Sequence, residues 1–156
     1  MKYLKIEKCS INNGHGIRCV IWCSGCSHRC RGCHNQETWN CNIGTEFTQE
    51  DADWVLDYLA NDYVDGITFS GGDPLEDCNI EAFTDLASQI KDRFGDTKDI
   101  WVYTGYTYEE VKDKEIFNFI DVLVDGQFEL DKRNITLAFR GSSNQRIIDV
   151  KKGCSI

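Results

Sequence analysis

The sequence predicts an α/β fold built on a mostly parallel sheet. Short β-branched runs alternate with stretches whose apolar residues recur at helical spacing, the pattern of βαβ units. The 156 residues, 41% of them hydrophobic, suit a single compact domain spanning 1–156 around one core. An eight-fold barrel needs about 250 residues, so any barrel built by this chain is a partial one.

Lys2–Ile6 reads as a weak strand and Ile17–Cys23 as a stronger one, rich in Ile, Val and Trp. Residues 24–42, dense in Cys, Gly and Asn, read as a long loop with a short helix. Thr48 and Asp51 form a capping box, with Asp in the position usually held by Glu or Gln. The helix that follows carries Ala52, Val55, Leu56 and Leu59 on one face. Gly66–Ser70 is a short strand ending in Gly71-Gly72-Asp73-Pro74. Residues 79–94 form a helix with Ile80, Phe83, Leu86, Ala87, Ile90 and Phe94 on its apolar side. Ile100–Thr104 is a strand, Thr107–Lys112 a short helix that Ile116–Phe119 continues, and Ile120–Val124 and Arg146–Val150 are the last strands. In such folds function gathers in the loops after the carboxyl ends of strands, here after Cys23, Ser70 and Thr104.

The formal charge is −9, from 26 acidic and 17 basic residues, with no Lys/Arg run. That balance speaks against a nucleic-acid surface. No run of 18 apolar residues is present and the first ten residues lack a signal-peptide core, so the expectation is a cytoplasmic protein with no membrane span. Nine cysteines are an odd number, and Cys19, Cys23, Cys26, Cys30 and Cys33 crowd one short stretch. In a reducing compartment such crowding indicates a metal or redox site rather than disulfides.

Two overlapping triplets share one spacing: Cys19, Cys23, Cys26 and Cys26, Cys30, Cys33. Cys19 and Cys23 fall in a predicted strand, where four residues span about 13 Å, too far for one cluster. Cys26–Cys33 lies in irregular chain that can wrap three sulfurs around a cluster. The second triplet is therefore the candidate metal site, and Cys19 and Cys23 become buried strand residues. Electron-carrying cubanes use four cysteines; three leave one iron open, as a catalytic zinc keeps an open position. A structural zinc site completed by His28 or His34 stays open as the competing reading.

Cys26-Ser-His-Arg-Cys30-Arg-Gly-Cys33 resembles the signature of radical S-adenosylmethionine enzymes. Its continuation through His34, Asn35, Gln36, Glu37, Thr38 and Trp39, with Asn13-Gly-His-Gly-Ile-Arg18 upstream, is similar to the glycyl-radical-enzyme activases of that superfamily. Ser70-Gly-Gly-Asp-Pro-Leu75 resembles the superfamily's Gly-Gly-Glu-Pro segment, with Asp for Glu. Trp101–Tyr106, Asp121–Gly126 and Arg140–Arg146 narrow the resemblance to the activating proteins of anaerobic ribonucleoside-triphosphate reductases.

This resemblance implies a compact partial (β/α) barrel of the radical S-adenosylmethionine type. It implies a [4Fe-4S] cluster on Cys26, Cys30 and Cys33, S-adenosyl-L-methionine as second cofactor, a flavodoxin-like one-electron donor, and the reductase's large subunit as the partner that receives a glycyl radical. Gly32 and His34 would line the adenine side. Gly71 and Gly72 would approach the methionyl ammonium with Asp73 adding a charge-assisted hydrogen bond; a plain turn competes. Tyr103, Thr104 and Gly105 would face the cofactor, and Asp125 with Gly126 would meet a ribose or the methionine unless they only end a strand. Arg18, Arg140, Asn144 and Arg146 are candidates to meet a carboxylate or the partner's glycyl loop. Asn35 braces the cluster loop, Trp39 and Trp54 belong to core or interface, and the six other cysteines hold no metal. An activase of another glycyl radical enzyme, such as pyruvate formate-lyase, is the alternative within the superfamily, and a zinc-stabilised interaction module the alternative outside it.

Overall fold

The computed structural model describes residues 1–156. Along the chain come β1 (Lys2–Ser10), β2 (Arg18–Cys23), β3 (Thr45–Glu46), α1 (Gln49–Leu59), β4 (Gly66–Gly71), α2 (Ile80–Phe94), β5 (Asp99–Tyr103), α3 (Tyr108–Val111), β6 (Val122–Asp125), β7 (Arg146–Asp149) and β8 (Cys154–Ser155). One-turn 3-10 segments lie at Gln36–Thr38, Gly95–Thr97, Glu115–Asn118 and Leu130–Lys132. The fold class is α/β, as expected. No helix is long and apolar enough to cross a membrane.

All eight strands join one open sheet in the order β3-β1-β2-β4-β5-β6-β7-β8. The sheet is mixed rather than mostly parallel. Only the pairings β2–β4, β4–β5 and β5–β6 are parallel, while β1–β2, β1–β3, β6–β7 and β7–β8 are antiparallel. The reason lies in the connections. Each step between β2 and β6 passes through a helix, which parallel neighbours require, whereas the flanking connections carry no α-helix and return antiparallel.

Local chemistry accounts for the helices. The Asp51 N–H donates to Thr48 Oγ1 at 3.4 Å and the Thr48 N–H donates to Asp51 Oδ2 at 2.8 Å, so the capping box forms with Asp as its acid. Thr107 and Glu110 make a second box at α3. Residues 115–118 form a separate 3-10 turn instead of continuing α3. Val111 and Ile116 both reach the core, and five residues apart they would point to different faces of one helix.

The strands bury both faces by alternation. Cys19, Ile21 and Cys23 of β2, Ile67 and Phe69 of β4, and Ile100 and Val102 of β5 turn to a core shared with α1, α2 and α3. The alternate residues Trp101, Val122 and Val124 form a smaller cluster with Tyr103, Phe139 and Ile147. Arg18 lies on this second face and has no exposed surface. It donates to Thr68 Oγ1 at 2.8 Å and to the Ile67 carbonyl at 2.7 Å, and pairs with Asp99 at 2.7 Å. Its carboxylate partner is thus internal, and its work is to tie β2, β4 and β5 together at their amino ends.

Asp99 retains 39% of its side-chain exposure, so a carboxylate stranded there recovers water. The cost of removing Arg18 falls instead on buried acceptors. Arg18→Met is expected to lower unfolding free energy by about 2 kcal/mol, seen as a lower urea midpoint at unchanged slope. An unshifted midpoint would show that the guanidinium contributes no net stability.

Candidate functional site

The carboxyl ends of the parallel strands lie level, Cys23 beside Gly71 and Tyr103 beside Val124. The loops leaving β2, β4, β5 and β6 therefore open on one edge of the sheet, where they enclose a cavity of about 150 Å³. The three suspect loops named from sequence meet here, joined by a fourth after Asp125. A larger groove along α2, about 770 Å³, holds none of the candidate residues.

Cys26, Cys30 and Cys33 all line this cavity and are free thiols. Cys19 and Cys23 are wholly buried in β2, as the choice between triplets requires. Burial pushes the Cys26 thiol up to about 11, against the pull of main-chain N–H groups of His28 and Arg29. Burial raises Cys30 as well. The Asn35 N–H donates to Cys33 Sγ at 3.3 Å, and Asn35 Nδ2 donates to the Gly71 carbonyl at 3.3 Å, so this side chain braces the cysteine loop against β4. No three His, Cys, Asp or Glu side chains converge on a point that a single metal ion would occupy. His28 Nε2 contacts Asp73 at 2.9 Å and its Nδ1 faces Gln127 at 3.2 Å, so this candidate zinc ligand is engaged on both nitrogens. His34 sits in the exposed outer loop, its ring 6.1 Å from that of Phe128.

Asp73 is the centre of the site's wiring. Its carboxylate is 1% exposed. It accepts from the Leu75 N–H at 2.9 Å, the Thr104 hydroxyl at 2.9 Å and the Gly105 N–H at 2.8 Å, besides contacting His28. That hydrogen bond raises the His28 imidazole above its ordinary value, with burial opposing. Internal groups thus engage both Asp73 oxygens, the same oxygens that would accept from an ammonium. Two glycines permit the wiring. A Cβ on Gly105 would lie 2.4 Å from the His28 ring, and one on Gly72 would lie 2.3 Å from the Gly25 carbonyl. Gly72 therefore serves a close approach to the cysteine loop itself.

Gly71, Gly72, Asp73, Thr104 and Cys33 line the cavity, whereas Gly32, His34 and Asp125 do not. Gly32 packs toward Leu130. The Asp125 carboxylate is buried, accepts from the Tyr108 N–H at 2.8 Å and is bound by the Arg146 guanidinium. The same guanidinium holds the Glu109 carboxyl down at about 2. Asp125 is thus spent on structure and it is Gly126 that reaches the cavity. Arg140 donates to the Gln145 carbonyl at 2.8 Å and Asn144 to the Gln127 carbonyl at 2.8 Å, so both fold the segment after β6.

Sequence reasoning missed three participants. His28 entered only as a zinc ligand, Trp39 was assigned to core or interface but lines the cavity, and Asn79 was not singled out. Asn79 Nδ2 donates to the carbonyls of Ser24 and Asp73, both at 2.9 Å, joining the loops after β2 and β4. An Asn just before a helical apolar run is the available signal, and it reads as an ordinary cap.

If Asp73 is the hub, Asp73→Asn should cost about 2 kcal/mol, because an amide cannot accept from all four donors at once. In a double-mutant cycle with Thr104→Val the two changes should couple by about 1 kcal/mol. Additive urea-unfolding energies would show that the two side chains act independently.

Residues 12–148 match the family model described as a 4Fe-4S single cluster domain. The chain is 41% identical over 147 residues to the anaerobic ribonucleoside-triphosphate reductase-activating protein of Enterobacteria phage T4, covering 94% of this chain and 93% of that protein. It is 39% identical over 153 residues to the protein of that name from Pasteurella multocida, covering 94% and 96%. It is 40% identical over 149 residues to the one from Escherichia coli K12, covering 93% and 96%. The matched cluster domain holds the cysteine triplet, the relatives match the chain over nearly its whole length, and the chain belongs to the family of anaerobic ribonucleoside-triphosphate reductase-activating proteins.

Proposed function

We propose that this chain is a radical S-adenosylmethionine activating enzyme, an oxidoreductase that places a glycyl radical on the large subunit of an anaerobic ribonucleoside-triphosphate reductase. The observation that carries the reading is the number and placement of the thiols: Cys26, Cys30 and Cys33, with no fourth cysteine, line one cavity at the strand ends. The cluster domain matched by the family model supports the iron, and the relatives' names support the partner. Held by Cys26, Cys30 and Cys33, a [4Fe-4S] cluster would supply the one-electron reduction that cleaves S-adenosylmethionine to methionine and a 5′-deoxyadenosyl radical, which would take hydrogen from the partner's glycine.

The chain's own residues place and protect this chemistry. Cys26, Cys30 and Cys33 hold the iron, and because burial keeps Cys26 and Cys30 protonated in the metal-free chain, loading releases protons. Gly71, Gly72 and Thr104 form the methionyl side, with Asp73 positioning Thr104 and Gly105 rather than touching the ligand. Gly32 and His34 sit toward the adenine side, and Asp125 holds Gly126 in place through Arg146. The sheet, open at β3 and β8, acts as a compact partial barrel over residues 1–156 whose open side admits the partner's glycine. The electron comes from a flavodoxin-like donor. His28 turned to Asp73 and Gln127 weighs against the zinc module.

Anaerobic reconstitution with iron and sulfide should give a brown protein that forms 5′-deoxyadenosine from S-adenosylmethionine on reduction. With the reductase it should give a glycyl radical by electron paramagnetic resonance. Outer-shell changes at metal sites cost roughly 10–100-fold, so serine at position 26, 30 or 33 should cost at least that and strip the iron. A colourless zinc protein with no 5′-deoxyadenosine would sink the reading. A radical on another glycyl enzyme but not on this reductase would change the partner and keep the chemistry.

A further inference from the structure

Trp39 lines the cavity with the three cysteines. Among the lining residues it alone has a buried polar side-chain atom with no hydrogen-bond partner, the indole Nε1. An indole N–H only donates, and a buried donor left unmade is costly. Neighbouring acceptors already hold donors of their own. The Thr38 carbonyl takes the Gly25 N–H at 2.6 Å, the Asn35 carbonyl takes the Thr38 hydroxyl at 2.6 Å, and the Gly71 carbonyl takes Asn35 Nδ2. The Asp73 carboxylate is filled by its own donors. No acceptor of the chain reaches the indole N–H, which leaves it free for an acceptor from outside the chain.

We infer that the Trp39 indole N–H donates a hydrogen bond to a sulfur of the bound iron–sulfur cluster and raises its reduction potential. The main chain of Trp39 is already fixed to the first ligand, since the Cys26 N–H donates to the Trp39 carbonyl at 3.1 Å. The indole thus moves with the ligand loop rather than with the β4 or β5 loops that face the second cofactor. Sulfur is the acceptor that loop brings in, as the Asn35 N–H to Cys33 Sγ contact already shows. A donor to cluster sulfur stabilises the reduced, more negative state, and such outer contacts tune cluster potentials. Asn35 supplies one donor from the main chain, which a change of side chain other than to proline leaves in place; Trp39 supplies one from a side chain.

The inference rests on the cluster reading above, and its test separates the two. Reconstituted wild type and Trp39→Phe are compared for iron and sulfide content and for midpoint potential in an EPR-monitored titration without S-adenosylmethionine. The expected result is equal cluster content with a more negative potential in the variant. Loss of one exchangeable-proton coupling to the reduced cluster after transfer to deuterated buffer should accompany it. Should Trp39→Phe lose the cluster, site-specific 3-benzothienylalanine at position 39, which keeps the ring shape and replaces N–H by sulfur, gives the same comparison. An unchanged potential and unchanged couplings in a loaded variant overturn the inference. So does an unchanged potential with weakened S-adenosylmethionine binding, which would make the second cofactor the acceptor. Failure of wild type to hold any cluster overturns the reading beneath it.

Discussion

A single buried carboxylate organises the functional edge of this protein. Asp73 sits at the end of β4 and gathers donors from its own turn, from the β5 loop and from the cysteine loop. A buried carboxylate is unfavourable unless its oxygens are satisfied, and the satisfied arrangement exists only when all three loops are in place together. The constraint is therefore cooperative: it disfavours every partial arrangement, so the loop that carries Cys26, Cys30 and Cys33 is held by something other than its own irregular backbone. Asn79, bridging the carbonyls of Ser24 and Asp73, closes the same circuit from the helix side.

At the opposite end of the strands Arg18 does the converse with a buried cation. It reaches acceptors on β4 and the carboxylate of Asp99 on β5, and its guanidinium lies against the Trp101 ring. Two buried charges of opposite sign, one at each end of the parallel strands, fix the register of β2, β4 and β5. A slip of one residue would leave both unsatisfied and turn Cys19, Ile21 and Cys23 away from the core shared with the helices. Register matters here because the cavity exists only where strand ends lie level.

The periodic parts of the fold were legible in the sequence. The faces of α1 and α2 and the strands through Ile67, Val102 and Leu123 follow from apolar spacing, the Thr48 cap follows from the acid three residues on, and strand geometry placed Cys19 and Cys23 apart from the loop triplet. Strand direction was not legible, because alternating apolar residues read the same in parallel and antiparallel pairs; only the helix-free connections on the flanks reveal it. Two-residue strands such as Thr45–Glu46 and Cys154–Ser155 carry no pattern at all. Within the site, residue types pointed to the right loops but not to their partners. Asp73 and Asp125 read from sequence as groups for a ligand or for a turn, and their internal partners were not legible, because a sequence shows which groups can hydrogen-bond and not which neighbours reach them.

That distinction gives a physical meaning to aspartate after the paired glycines, where the superfamily segment it resembles has glutamate. The Asp73 oxygen that accepts from the Leu75 N–H two residues on closes a short turn around Pro74, a geometry that the aspartate side chain suits. One methylene more would carry the carboxylate past that N–H. The same short reach brings the second oxygen to His28 and Gly105, and Gly105 tolerates the imidazole only because it has no Cβ. Aspartate, glycine and histidine at these positions therefore form one steric unit: lengthening the acid, adding a methyl at residue 105 or removing the imidazole each breaks the contact between the cysteine loop and the end of β5. The cavity's polar lining is better understood as a scaffold that positions three sulfurs than as a row of independent ligand contacts.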